Sequence, residues 1–243
     1  MNDHIKFNNE CKAEIELQSQ SSELKELTRN WLSLANEHKY SYHFQHLGLP
    51  IIQYPQDIVG MQELIWSIKP DLIIETGVAR GGSLIFSASM LALLDYSEAV
   101  QSGNILDPMA SKRKVIGIDI DIRNHNREAI ESHPFSHKIE MLQGSSISTE
   151  IVEHVHQKAA DYNTILICLD SNHTHEHVLA ELKSYSDLVT KGSYLIVFDT
   201  VIEYLDEAKF PGRSWGVGDN PKTAVDEFLL HNDDFSIDHQ IDA

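Results

Sequence analysis

Positive charge is scarce in this chain of 243 residues: 19 Lys and Arg stand against 37 Asp and Glu, a formal net charge of −18. Such a surface repels phosphate backbones and anionic lipids, which argues against nucleic acid as a partner. Cysteine is nearly absent. Cys11 and Cys168 lie far apart, and Cys168 sits within an apolar run where a free thiol behaves as a small hydrophobe. That usage suits a reducing compartment. The opening "MNDHIKFNNECKAE" lacks the apolar centre of a signal peptide, and no run approaches the roughly 20 apolar residues of a membrane span. The expectation is a cytoplasmic protein with one core, since 42% apolar content over this length demands no second domain.

Glycine is also sparse, at 12 residues, yet three fall within "LIIETGVARGGSL", residues 72 to 84. Around that stretch the chain reads as alternating strands and helices. "DLIIET" (71–76), "KVIGID" (114–119), "KIEML" (138–142), "TILICLD" (164–170) and "SYLIVFD" (193–199) are continuous apolar runs, as strands covered on both faces require. Between them, "SLIFSASMLALLD", "RNHNREAIESH", "STEIVEHVHQKAA" and "THEHVLAELKSYSDLV" carry helical periodicity. This alternation predicts a doubly wound, mostly parallel α/β sheet, Rossmann-like, as a single domain over 1–243. Residues 1–50 read as an N-terminal accessory segment. Its first 20 residues are polar and expected to fray, and Leu24, Leu27, Trp31 and Leu34 mark one face of a helix. "LGLPIIQYPQD" reads as an irregular loop, 96–114 as a surface excursion, and "KFPGRSWGVGDNP" (209–221) as a glycine-rich loop.

In such a sheet the ligand binds beyond the carboxyl ends of the strands, where the first strand turns into the first helix. The glycines occupy that turn. Gly77 can adopt angles closed to other residues, Gly81 and Gly82 would let backbone approach a ligand, and Ser83 can cap or bind. Their spacing is E-x-G-x-x-x-G-x-S, led by Glu75, and differs from the dinucleotide G-x-G-x-x-G. A carboxylate there suits a cationic amino-acid ligand better than a diphosphate. Asp119 ends the second strand, where a carboxylate can accept both hydroxyls of a ribose. The competing account has the glycines serving tight packing and Asp119 capping a helix.

The glycine pattern resembles the first motif of class I S-adenosylmethionine-dependent methyltransferases, in its catechol-type variant. Over roughly residues 40 to 230, "GLPIIQYPQDIVGMQELIWSIKPDLIIETGVARGGS", "LDSNHTHEHVLAEL" and "LVTKGSYLIVFDTVIE" are similar to the cephalosporin hydroxylase and rhamnosyl O-methyltransferase family. The resemblance implies methyl transfer from S-adenosylmethionine to a hydroxyl of a small molecule, sugar or lipid-linked glycan. It also implies that Gly144, Ser145 and Ser146 of "QGSS" lie near the adenine, though a helix-capping serine fits equally. Gln53 and Tyr54 would cover the cofactor, and Trp215 would belong to an acceptor lid.

Asp170 and Asp199 each end a strand and should face one crevice. Paired carboxylates suit a hard cation such as Mg2+, which prefers oxygen ligands and would lower the pKa of an acceptor oxygen. Alternatively, the two acids cap the following elements. The family usually reads "VEDT" where this chain reads "VFDT", so Phe198 removes one of three implied ligands. His173 falls where catechol-type enzymes carry a lysine that takes the acceptor proton, and histidine suits that task near neutral pH. "HTHEH" also invites zinc through His173 and His177 on one helix face. With no third positioned ligand, a solvated helix surface accounts better for His175 and His177.

A sixth strand is expected near 235–241, and the antiparallel hairpin that usually closes this class looks absent. An open edge on the fifth strand would then favour cover by a partner chain or association into a homo-oligomer. Two other function classes share the fold: a cofactor-binding protein without turnover, and an NAD-dependent oxidoreductase, which would need the tighter glycine spacing.

Overall fold

The computed structural model describes residues 3–205 and 212–242. The start of the glycine-rich loop, residues 209–211, lies outside them. Five parallel strands form the main sheet: β3 (Leu72–Thr76), β4 (Lys114–Asp119), β5 (Ile139–Gln143), β6 (Ile165–Leu169) and β7 (Leu195–Val197). Their order across the sheet is β5-β4-β3-β6-β7. The chain therefore winds outward from β3 in one direction, returns, and continues from β6 in the other. The expected doubly wound fold is present.

Strand alternation explains the three layers. Ile73, Val115, Leu166 and Cys168 face α3 (Pro55–Ile68) and α4 (Gly82–Ser102), meeting Met61, Ile65, Leu84 and Leu91. Leu72, Ile74, Ile116 and Ile167 face the other way, against α6 (Thr149–Ala159), α7 (His175–Tyr185) and α8 (Pro221–Leu230). Every residue of β3 and β6 is buried, which is why β6 and the Leu72–Ile74 stretch of β3 read as apolar runs. Among the described residues, α4 is the one helix long and apolar enough to cross a membrane. Its residues from Gly82 to Leu94 are mostly buried in the core, as a central helix of this fold requires.

Several expectations change. Residues 3–20 form a helix, α1 (Asp3–Gln20), none of whose residues is buried. Its apolar residues Ile5, Phe7, Ile15 and Leu17 gather on no one face, so the chain shows no apolar stripe to announce it. In α2 (Ser22–Glu37), Leu32 is the buried residue, while Leu24, Leu27, Trp31 and Leu34 remain exposed. Their stripe is real, but it points away from the core. Residues 44–51 form a two-stranded antiparallel hairpin, β1 (Phe44–His46) and β2 (Leu49–Ile51), instead of an irregular loop. Helix α4 continues to Ser102, which shortens the predicted excursion to 103–113. The segment near 235–241 is irregular until α9 (His239–Asp242), and it pairs with no strand. Phe235 instead packs edge-on against Phe228, with ring centroids 5.7 Å apart.

Candidate active site

Winding outward from β3 in two directions leaves a crevice where the carboxyl ends of β3 and β6 lie side by side. Gly77 follows β3 and Asp170 follows β6. A Cβ on Gly77 would sit 2.0 Å from the Asp170 carbonyl oxygen, and Gly77 has φ +95°, so only glycine serves there. The other two glycines answer to packing. A Cβ on Gly82 would stand 2.2 Å from the Pro50 carbonyl oxygen, and one on Gly81 would stand 2.4 Å from the Ile130 side chain. What approaches this backbone on the Cβ side is the β1–β2 hairpin and α5 (Asn124–Glu131), so packing accounts for the missing side chains of Gly81 and Gly82.

The turn itself is held from two sides. Asp119 Oδ2 accepts the backbone N–H of Val78 at 2.9 Å and that of Ala79 at 3.2 Å, while Oδ1 accepts from Asp121. Asn126, buried on α5, donates to the Ala79 carbonyl at 2.7 Å. Ala79 adopts φ 45°, a left-handed conformation costly for a side chain, and these bonds hold it there. Asp119 thus shapes the loop while remaining only half-buried. Glu75 turns into the α3–α4 layer, 3% exposed, where burial pushes its carboxyl up to about 7 against hydrogen bonds from Ser83 and Ser87. Ser83 therefore binds Glu75, and the cap position of α4 is Gly81.

After β5, the Gly144 N–H donates to the Asp119 carbonyl at 2.9 Å, which brings the start of "QGSS" beside Asp119, with Ser145 next to it. Ser146 points the wrong way for a cofactor. It is buried beneath α7, donating to Glu181 Oε1 at 2.5 Å and lying 3.0 Å from His177 Nε2. Ser171 donates to the same Glu181 oxygen at 2.6 Å. This network also corrects His177, which is an internal partner and not a solvated one. His175 likewise bridges helices, with Nδ1 2.8 Å from Thr223 Oγ1 and Nε2 3.1 Å from Glu227 Oε2 on α8. His173 precedes α7, so it shares no helix face with His177.

The acids at the ends of β6 and β7 do converge. One ligand atom each from Asp170, His173 and Asp199 lies within 4.8 Å of the others. His173 Nε2 stands 3.3 Å from Asp199 Oδ2, and the Trp215 ring meets the His173 ring edge-to-face at 5.3 Å. Asp199 has φ 58°, another left-handed position occupied by a residue other than glycine. Burial and the neighbouring Asp199 push the Asp170 carboxyl well above the usual range. Two like charges held together in a half-buried crevice are relieved by a cation, so the donor set fits one.

Two residues at this crevice were not assigned there from the sequence. Gln53 Nε2 donates to Asp170 Oδ2 at 2.7 Å, where the sequence had suggested cofactor cover. Tyr54, its expected companion, instead donates to Asn36 Oδ1 at 2.8 Å. Asp57, in the first turn of α3, has its carboxyl pushed up to about 7 by burial and by Asp199. A signal for Asp57 was available: it precedes Met61 and Leu64 by four and seven residues, on the helix's apolar face.

The sequence pattern of the rhamnosyl O-methyltransferase/CmcI family matches residues 38–243. The chain belongs to this family. The rhamnosyl O-methyltransferase of Mycobacterium tuberculosis is 26% identical over 200 residues, covering 82% of this chain and 70% of the relative. That of Mycobacterium leprae is 27% identical over 155 residues, covering 63% and 59%. Among solved structures, CmcI with Mg and SAM is similar at 22% identity and a TM-score of 0.47, covering 67% of this chain and 60% of that one. MycE with Mg, SAH and mycinamycin VI matches at 18% identity and a TM-score of 0.42, covering 75% and 40%. The matches thus span less than two thirds of both solved chains.

Phe198 stands where the resemblance implied an acid, and its surroundings explain the aromatic ring. Phe198 packs on the α3–α4 core and lines a small cavity with Glu75, Asp57 and Ser83. Phe198→Glu would add a third carboxylate to two already driven toward neutrality. We expect it to lower unfolding stability by about 1 to 3 kcal/mol, the cost of burying a poorly partnered polar group. Urea unfolding with EDTA present checks this, and an unchanged midpoint would show that the pocket accepts the charge.

Proposed function

We propose that this chain is an S-adenosylmethionine-dependent O-methyltransferase acting on a hydroxyl of a sugar, with Asp170 and Asp199 holding Mg2+. The observation that carries the reading is the convergence, at one switch point, of the Gly77 turn, Asp119, and the Asp170, His173 and Asp199 side chains. Family membership and the rhamnosyl O-methyltransferase relatives support the reaction and the sugar acceptor. When bound, the cofactor supplies an electrophilic methyl on a sulfonium, and the cation supplies positive charge for an acceptor oxygen losing its proton.

The chain's own residues have separable tasks. Asp119 and the Gly77 turn bind the adenosine side, with Gly144 and Ser145 beside them. Asp170 and Asp199 offer the oxygens a hard cation prefers, which leaves the His173 ring free to take a proton. Asp199, 3.3 Å from His173 Nε2, also orients that ring. Trp215 covers it from the loop after β7, a placement suited to excluding water over the acceptor. A cavity of about 450 Å³ extends from Asp199 and Thr200 along β7 and has room for an acceptor group.

Asp119→Asn tests the cofactor part, because an amide oxygen can still accept from the Val78 turn while the charge that favours ribose hydroxyls, and the bond from the Asp121 N–H, are lost. Affinity for S-adenosylmethionine should fall by about 1.5 to 3 kcal/mol, the worth of hydrogen bonds to a charged group. Calorimetry measures it, and equal affinity would remove Asp119 from the binding site. Phe198 favours a second reading, cofactor binding without turnover. Methyl transfer to a rhamnosylated acceptor by the unaltered chain would exclude it.

A further inference from the structure

We propose that Gln53 is a positioning residue for the cation site, fixing the Asp170 carboxylate through one oxygen and leaving the other for a divalent cation. The inference rests on the reading of Asp170 and Asp199 as the acids that hold a cation, and it assigns a role to a residue outside that pair.

Asp170 is anchored through its backbone and held through its carboxylate. From behind, the Asp170 N–H donates to the Thr76 carbonyl at 2.9 Å, and the Asp170 carbonyl presses on Gly77. In front, Gln53 Nε2 donates to Oδ2 at 2.7 Å, and among the described residues no donor reaches Oδ1. Gln53 is itself 9% exposed, so the bond is shielded from competing water. Its backbone cannot drift, because β2 is seated against Gly82, where a Cβ would meet Pro50 and Ile51. Immediately after it, Tyr54 is tied to Asn36 on α2. The segment therefore delivers one rigid donor to one oxygen.

The chemistry of that donor matters. Lys or Arg at this place would hold Asp170 more strongly, but each would bring a positive charge that competes with a cation for the same carboxylate. An amide donates without charge. It restrains the side chain and leaves the negative potential of Asp170 and Asp199 intact. Partners of this kind, one step behind a ligand, typically change metal affinity by about 10- to 100-fold when removed.

The test uses the full chain with Mn2+ as the probe, its binding followed by electron paramagnetic resonance. S-adenosylhomocysteine affinity is measured by calorimetry in EDTA. Gln53→Met keeps the length and removes the donor; it should weaken Mn2+ binding by about 10- to 100-fold and leave S-adenosylhomocysteine affinity within about twofold. Gln53→Lys should raise the melting temperature in EDTA, because it pairs with Asp170, yet bind Mn2+ more weakly still. Unchanged Mn2+ affinity in Gln53→Met would overturn the proposal, as would tighter Mn2+ binding in Gln53→Lys. Parallel loss of Mn2+ and S-adenosylhomocysteine binding would also overturn it, since that marks general collapse of the hairpin. If the unaltered chain binds no Mn2+ at millimolar concentration, the cation reading itself fails and the role of Gln53 goes with it.

Discussion

His173→Ala should lower the rate of methyl transfer by about 10²- to 10⁴-fold while leaving cofactor affinity nearly unchanged. The factor is the usual contribution of a positioned base, and the geometry says why the two quantities should separate. His173 precedes α7 on the loop that leaves β6, three residues beyond Asp170, and its ring lies between Asp199 and Trp215. The Gly77 turn and Asp119, which form the proposed adenosine side, are held by Asn126 and by the backbone of Val78 and Ala79. Removing the imidazole leaves those bonds in place. The attacking oxygen must lose its proton as its bond to the methyl carbon forms, and with alanine no side chain between Asp199 and Trp215 can receive it. The measurement is the rate at saturating cofactor and acceptor, beside calorimetry with S-adenosylhomocysteine. Full activity would remove His173 from the reaction, and a matching loss of cofactor affinity would make it a binding residue.

The sheet was legible because its strands are buried on both faces, so the runs around Ile73, Ile116 and Ile167 carry their own signature. Acids at strand ends were legible for a related reason: an ionisable residue closing an apolar run stands where the chain leaves the core, as Asp119, Asp170 and Asp199 do. Contacts between distant segments were not. Nothing in "GVARGGS" tells whether Gly81 and Gly82 face a ligand or a neighbouring hairpin, because both require the missing Cβ. The orientation of Ser146 depends on Glu181, 35 residues away, and the role of Gln53 depends on Asp170, 117 residues away. The exposed stripe of α2 shows the limit of periodicity, which reports a shared face without saying what that face meets.

A second large effect concerns stability, and it comes from two buried acids, Asp57 and Glu75. Asp57 and Glu75 both have carboxyls pushed up to about 7, chiefly by burial, with Asp199 adding to the effect on Asp57. In the unfolded chain Asp57 ionises near pH 4, whereas in the folded chain it holds its proton to about pH 7. Below pH 4 both states are protonated and there is no penalty. Between pH 4 and pH 7 the unfolded state has released the proton and the folded state has not, so stability falls as pH rises. Above pH 7 both are ionised and the full penalty is present. A shift of about three units corresponds to roughly 4 kcal/mol. Asp57→Asn should therefore match the unaltered chain near pH 4 and exceed its unfolding free energy by up to about 4 kcal/mol at pH 8. Urea unfolding in EDTA across that range measures the difference, and comparing the two proteins cancels the general repulsion of a chain with net charge −18. A divalent cation should oppose the same penalty, because positive charge beside Asp199 favours ionised neighbours. Mn2+ should then stabilise the unaltered chain more at pH 8 than at pH 5, and at pH 8 stabilise Asp57→Asn less than the unaltered chain. If the variant is no more stable than the parent at pH 8, then Asp57 does not carry a buried charge in the folded chain.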